Sequence, residues 1–200
     1  MSNPIDFYFD FSSPYGYFAS AKIEDIAARH GRTATWRPIL LGAVFKVTGM
    51  QPLASYPLKS AYMKRDLERT SRLFNVPFKL PSKFPIGTTA PARAFYHLNN
   101  RDPALAKRLA LALYVAYFAD DVDISTPENT VEIAGHAGVD KAEMKEALND
   151  PAVKDRLRQE VDAAVSLGVF GSPYIVIDGE PFWGSDRLDQ VEKWLSTGGW

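Results

Sequence analysis

The chain has no cysteine among its 200 residues. That excludes disulfide staples, thiolate metal sites and any disulfide exchange by the chain itself. No apolar run is long enough to cross a bilayer. Met1-Ser2-Asn3-Pro4 lacks the basic segment and long apolar stretch of a secretory signal, so a cytoplasmic location is the expectation. An excess of one charge is also missing. Lys plus Arg number 23 and Asp plus Glu 24, a net charge of -1, which leaves no electrostatic footprint for nucleic acid. His30, His97 and His136 are scattered, without metal-ligand spacing, so no metal is expected. Asp120-Asp121-Val122-Asp123 has the start of a calcium loop but not its glycine or distal glutamate, and reads as a solvated helix end. Arg65, Arg69 and Arg72 share one helical face with acids nearby and read as surface ion pairs.

What is present is apolar residue enough, 46%, for one large domain or one domain with an insertion. Ile5 to Phe11 alternates aromatic residues with acids and reads as a strand. Ser13 then suits a helix N-cap and Pro14 the first helical position. Tyr17, Phe18, Ala21, Ile23, Ile26 and Ala27 continue the helical pattern, and Gly31 is a stop. Thr33 to Ile39 reads as a second strand, parallel to the first because a helix joins them. Residues 57–75 read as a charged helix, followed by a loop with Pro85 and Gly87. Asp102-Pro103, Thr126-Pro127 and Asp150-Pro151 each pair a capping side chain with a first-turn proline. They predict helices running toward Phe118, His136 and Gly168, with a short one between Lys141 and Leu148. Tyr174 to Ile177 is a β-branched strand, Asp178-Gly179 a hairpin turn, and residues 186–195 a closing helix. The order β–α–β, helices, β–β–α describes an α/β chain. Its discontinuous α/β domain covers 1–42 and 169–200, and an all-helical domain, 43–168, interrupts it.

The informative junction is Ser12-Ser13-Pro14-Tyr15, between the first strand and the first helix. Redox proteins carry a reactive thiol at such a junction, often as Cys-x-x-Cys. Here a hydroxyl stands in its place. It cannot exchange disulfides, but it can bind and activate a thiol brought by another molecule. Read alone, Ser13 is better explained as a helix cap, and it is the other motifs that favour a functional role.

Four segments carry a resemblance: Asp6-Phe7-Tyr8-Phe9-Asp10-Phe11-Ser12-Ser13-Pro14-Tyr15, Tyr62-Met63-Lys64-Arg65-Asp66-Leu67, Val169-Phe170-Gly171-Ser172-Pro173 and Trp183-Gly184-Ser185-Asp186-Arg187-Leu188. In this order the chain resembles, nearly end to end, the kappa-class glutathione transferases and the 2-hydroxychromene-2-carboxylate isomerases. The resemblance implies a thioredoxin-like fold with an inserted all-helical domain, glutathione as cofactor, a small aromatic or electrophilic substrate and a homodimer. It makes Ser13 the catalytic contact to the glutathione sulfur. It places Ser172 before a cis Pro173, with its backbone paired to the glutathione peptide. Trp183, Gly184, Ser185 and Asp186 match the segment that holds the γ-glutamyl end. Met50, in Gly49-Met50-Gln51-Pro52, falls near a further glutathione contact, although the stretch from Met50 to Ser55 departs from the isomerase pattern. Lys46 resembles a lysine near the isomerase substrate, and Lys64 is its rival for stabilising a carboxylate or enolate charge.

The chemistry suits these residues. A free thiol ionises near pH 8.5. A helix N-terminus, worth roughly half a positive charge, and a donating hydroxyl both favour the thiolate. Three readings follow: an isomerase of aromatic catabolism, a transferase that releases the adduct, or a non-catalytic module that binds thiols or peptides.

Overall fold

The computed structural model describes residues 4–200. Met1, Ser2 and Asn3, where the signal reading and the first domain range begin, lie outside the described residues. Four strands form one sheet in the order β2-β1-β3-β4. Strands β1 (Ile5–Phe9) and β2 (Ala34–Pro38) run parallel, with Phe7 opposite Trp36. Strand β3 (Tyr174–Ile177) lies antiparallel on the other side of β1, and β4 (Glu180–Trp183) closes the edge. The β3–β4 turn has positive φ at both Asp178 (52°) and Gly179 (94°), as an Asp-Gly hairpin requires. No strand falls between residues 39 and 173, and that stretch is helix, turn and loop.

The capping motifs work as the sequence implies. Asp102, Thr126 and Asp150 each accept a backbone N–H of the first turn of α6 (Pro103–Phe118), α7 (Pro127–His136) and α9 (Pro151–Ser166). Helix α8 is Lys141–Ala147, and α4 is Pro57–Phe74, ended by Asn75 in the left-handed region. The first helix departs from expectation. It breaks at Ala21-Lys22 into α1 (Pro14–Ser20) and α2 (Ile23–Arg29). Two helices carry no signal recognised in the sequence, α3 (Leu41–Thr48) and α5 (Thr89–Asn99). Neither has a local side-chain cap: Leu40 and Thr88 occupy the capping positions without a capping bond. The chain closes with a 3-10 turn, Ser185–Arg187, and α10 (Leu188–Thr197).

The Asp120–Asp123 segment is not the solvated helix end its sequence implies. Asp121 accepts the Ser82 N–H and pairs with Lys79, and Asp123 pairs with Lys83, so these acids strap down the loop of residues 79–86. Arg69 pairs with Asp66 one turn away on α4. No helix among the described residues is long and apolar enough to cross a membrane.

Aromatic rings tie the sheet to the helices. Phe9, fully buried, has Phe7, Phe11, Trp36, Phe95 and Tyr114 within 6.0 Å, centroid to centroid. Its contacts reach β2, α5 and α6 at once. Phe9→Ala is therefore expected to lower unfolding free energy by about 3–5 kcal/mol. Leu58→Ala, at a position 90% exposed, should stay within about 0.5 kcal/mol. Urea titration of both variants checks this, and equal losses would contradict the assignment of Phe9 as the keystone ring.

Candidate active site

The β1 strand ends at Phe9, two residues earlier than its apolar pattern suggests, because Asp10 turns the chain. The Asp10 carboxylate accepts the Ser12 N–H at 2.7 Å, and the Asp10 carbonyl accepts the Ser13 N–H at 2.8 Å. This turn delivers Ser13 to the head of α1. The Ser13 Oγ accepts the Gly16 N–H at 3.0 Å, so the capping role is real. The same hydroxyl donates its only proton to the Ser172 carbonyl at 2.9 Å, across 159 positions of sequence. Ser13 is 5% exposed.

Ser172 arrives from the opposite end of the chain, and its bond to Pro173 is cis. Its Oγ accepts the Asp10 N–H at 2.9 Å. The Gly184 N–H donates to the Pro173 carbonyl at 3.0 Å, which draws the Trp183–Asp186 segment alongside. Helix α1 also packs against the Ser185–Arg187 turn. Ser13, Ser172, Pro173, Gly184 and the turn carrying Ser185 and Asp186 thus lie side by side. Ser185 is buried, whereas the Asp186 side chain is 73% exposed and 3.6 Å from Arg187.

Glycines make this closeness possible. A Cβ on Gly16 would sit 2.8 Å from the Tyr114 hydroxyl and 2.9 Å from the Ser172 Oγ. A Cβ on Gly184 (φ 108°) would sit 2.3 Å from an Asp186 carboxylate oxygen. Counted from Ser13, Gly16 is where the second thiol of a Cys-x-x-Cys would stand. The space is already taken by the hydroxyls of Tyr114 and Ser172. Trp183 is half exposed, packs edge-on to Phe170 at 4.9 Å and covers Gly171, so the structure gives it a packing role.

The remaining sequence candidates lie on or just after helices α3 and α4. Lys46 lies exposed in the last turn of α3, and Met50 lies just beyond its left-handed cap, Gly49. Lys64 is exposed on α4, which packs on α1. Among the described residues neither lysine has an ion-pair partner. The α1 helix has only seven residues, so its dipole is shorter than a helix reaching Ala27 would supply. In the first turn Pro14 has no N–H, and the Gly16 and Tyr17 N–H groups both donate to Ser13, so the donor that an anion here would draw on is the Ser13 hydroxyl.

Sequence reading passed over three residues of this site. Asp10 is 2% exposed, and its two carboxylate oxygens accept Ser12 N–H, Leu41 N–H and the Thr88 hydroxyl. Burial raises its pKa to about 6, against the opposing effect of those donors. Tyr114 donates to the Asp10 carbonyl at 3.0 Å, and burial pushes its phenol well up. Tyr15 donates to Asp66 at 2.8 Å, binding α1 to α4; burial and then Asp66 raise its pKa. The signal available was an acid ending an otherwise aromatic strand and a glycine inside a helical first turn.

The DSBA-like thioredoxin domain model matches residues 4–196. The 2-hydroxychromene-2-carboxylate isomerase of Sphingobium xenophagum is 32% identical over 200 residues, 98% of this chain and 99% of that protein. Glutathione S-transferase kappa 1 of Caenorhabditis elegans is 31% identical over 203 residues, 96% of this chain and 90% of its own. The structure of a 2-hydroxychromene-2-carboxylate isomerase superposes with a TM-score of 0.88 at 25% identity, covering 97% of this chain and 95% of the other.

Asp10 generates a test of pH and stability. In the folded protein it keeps its proton up to about pH 6, and in the unfolded chain only to about 3.8. Its effect favours the folded state below the lower value and is lost as pH rises through the upper one. The unfolding free energy of wild type relative to Asp10→Asn should therefore fall by about 3 kcal/mol from pH 3.5 to pH 7. Denaturation midpoints across that range check it, and a constant difference would contradict the raised pKa.

Proposed function

This chain belongs to the DSBA-like thioredoxin domain family, and on that premise we propose that it is a glutathione-dependent isomerase interconverting 2-hydroxychromene-2-carboxylate and trans-o-hydroxybenzylidenepyruvate. The observation that carries this reading is the hydroxyl of Ser13, bridged to the carbonyl of Ser172 in a chain without cysteine. Support for the substrate comes from the 32% identity to the isomerase over nearly both full lengths.

The residues fit glutathione. In this reading Ser13 meets the sulfur, the Ser172 backbone meets the peptide, and Ser185 with Asp186 meets the γ-glutamyl end. The side-chain-free Gly184 lets the Asp186 carboxylate fold in beside the buried Ser185, and that exposed carboxylate suits an ammonium group. Glutathione supplies, when bound, a nucleophilic sulfur for reversible addition to a conjugated double bond.

Ser13 must then change partners. Its single proton rests on a neutral carbonyl, and an anionic acceptor is a stronger partner. The hydroxyl turns from Ser172 toward the anion while Gly16 N–H keeps its oxygen in place. That movement frees the Ser172 carbonyl for a peptide N–H. Unpaired Lys46 or Lys64 offers a cation to a substrate carboxylate or enolate. In this reading the enzyme works in the cytoplasm, where glutathione keeps thiols reduced, and as a homodimer.

The second reading is a kappa-like transferase that releases its conjugate, favoured by the 31% identity to glutathione S-transferase kappa 1. The same site serves both, and the electrophile pocket decides. Calorimetry should show wild type binding glutathione, and a spectral assay should show the chromene converted. Turnover of a model aryl halide but not of the chromene would select the transferase. Extended peptides bound without turnover would select a non-catalytic module. Ser13→Ala should lower turnover about 100- to 1000-fold, as loss of one preorganised donor does, with glutathione affinity changed less than about tenfold. Unchanged turnover would remove Ser13 from the chemistry.

A further inference from the structure

The group the proposed chemistry leaves unused is the buried Asp10. Its backbone and carboxylate together bond to six other residues, Ser13 among them. Its N–H holds the Ser172 Oγ and its carbonyl holds both Ser13 N–H and the Tyr114 hydroxyl. Its carboxylate holds the Ser12 N–H, the Leu41 N–H that begins α3, and Thr88, the residue at the head of α5. One residue therefore fixes the serine that meets the sulfur and the first turn of the helix that carries Lys46. Lys46 lies five residues along α3 from Leu41, a rise of about 8 Å. We propose that Asp10 is a positioning residue for the thiol chemistry, its ionised carboxylate locking the Ser13 loop and α3 into one frame. This rests on the glutathione reading above.

The donor set argues for the ionised form as the working one. Both carboxylate oxygens accept a backbone N–H, and an amide or acid in this place has only one full acceptor oxygen. Asparagine would leave either Ser12 or Leu41 facing an NH2 group. The titratable side chains that face Asp10 are Tyr114 and Tyr117, both from α6 and both pushed upward by burial. Leu41 and Thr88, which reach it from the heads of α3 and α5, are uncharged. No cation pairs with Asp10 among the described residues. Its charge is held by neutral donors alone, which makes the lock sensitive to a single proton.

The test reads the ligand-free protein first. In Asp10→Asn, amide hydrogen exchange at Ser12 or Leu41 should rise at least tenfold over wild type under conditions where both are folded. The second readout is the pH profile of kcat/KM. In wild type its acid limb should steepen from slope one to slope two below about pH 6, one proton for the sulfur and one for Asp10. Asp10→Asn should keep slope one throughout and lose about tenfold in kcat. Thr88→Val, which removes one donor to the carboxylate, should move the steep region to higher pH, and Thr88→Ser should leave it in place. Those two variants decide the matter if Asp10→Asn does not fold. A folded Asp10→Asn with wild-type exchange and an unchanged acid limb overturns the proposal, as does a Thr88→Val profile identical to wild type. Wild type without glutathione binding overturns the glutathione reading, and this proposal with it.

Discussion

A buried carboxylate that pairs with no cation among the described residues organises this molecule. Asp10 sits where the aromatic β1 strand ends, and the donors around it come from the α1 loop, the head of α3 and the head of α5. Helices α3 and α5 lack a local cap, and the side chain of Asp10 accepts from the first turn of one and the capping residue of the other. Its burial raises the cost of the charge, and its donors offset part of that cost. Around Phe9, the residue before it, the Phe11, Phe95 and Tyr114 rings are packed edge-on or tilted and fully buried.

The candidate site follows from that frame. Ser13 and Ser172, 159 positions apart, meet because Asp10 binds both through its own backbone. The side-chain-free positions Gly16 and Gly184 let hydroxyls and carboxylate close in. A dithiol site needs a side chain at Gly16, and the Tyr114 and Ser172 hydroxyls occupy that volume. The departure from disulfide chemistry is therefore built into the packing around the first helix as well as into the missing cysteine. The family membership and the near full-length relatives agree with this division: a shared thioredoxin-like frame, and relatives named for isomerase and glutathione transferase chemistry.

Much of this was legible in the sequence wherever the signal is local. The Asp-Pro and Thr-Pro pairs, the Asp-Gly turn and the Ser13-Pro14 cap depend on neighbouring residues, and each stands as read. Helices α3 and α5 were hidden because the acceptor near their N-termini is far away in sequence. Leu41 is 31 positions and Thr88 is 78 positions from Asp10. The break at Ala21-Lys22 was hidden because apolar residues continue the same pattern on both sides of it. The resemblance names Ser13, Ser172, Pro173 and Gly184 to Asp186, which the fold brings near one another from both ends of the chain. It could not weigh Asp10, whose importance lies in what its backbone and carboxylate touch rather than in its type. Lys46, Lys64 and Met50 are exposed, so the fold by itself does not explain their presence.

The central claim is that a protein hydroxyl at Ser13 stabilises a sulfur anion that the chain does not itself possess. The most direct measurement is the ultraviolet thiolate absorbance of glutathione bound to the wild-type protein, titrated with pH. The account predicts ionisation at least one pH unit below the free-thiol value of about 8.5, and a return toward it in Ser13→Ala. Bound glutathione that ionises near 8.5 in both proteins would contradict it.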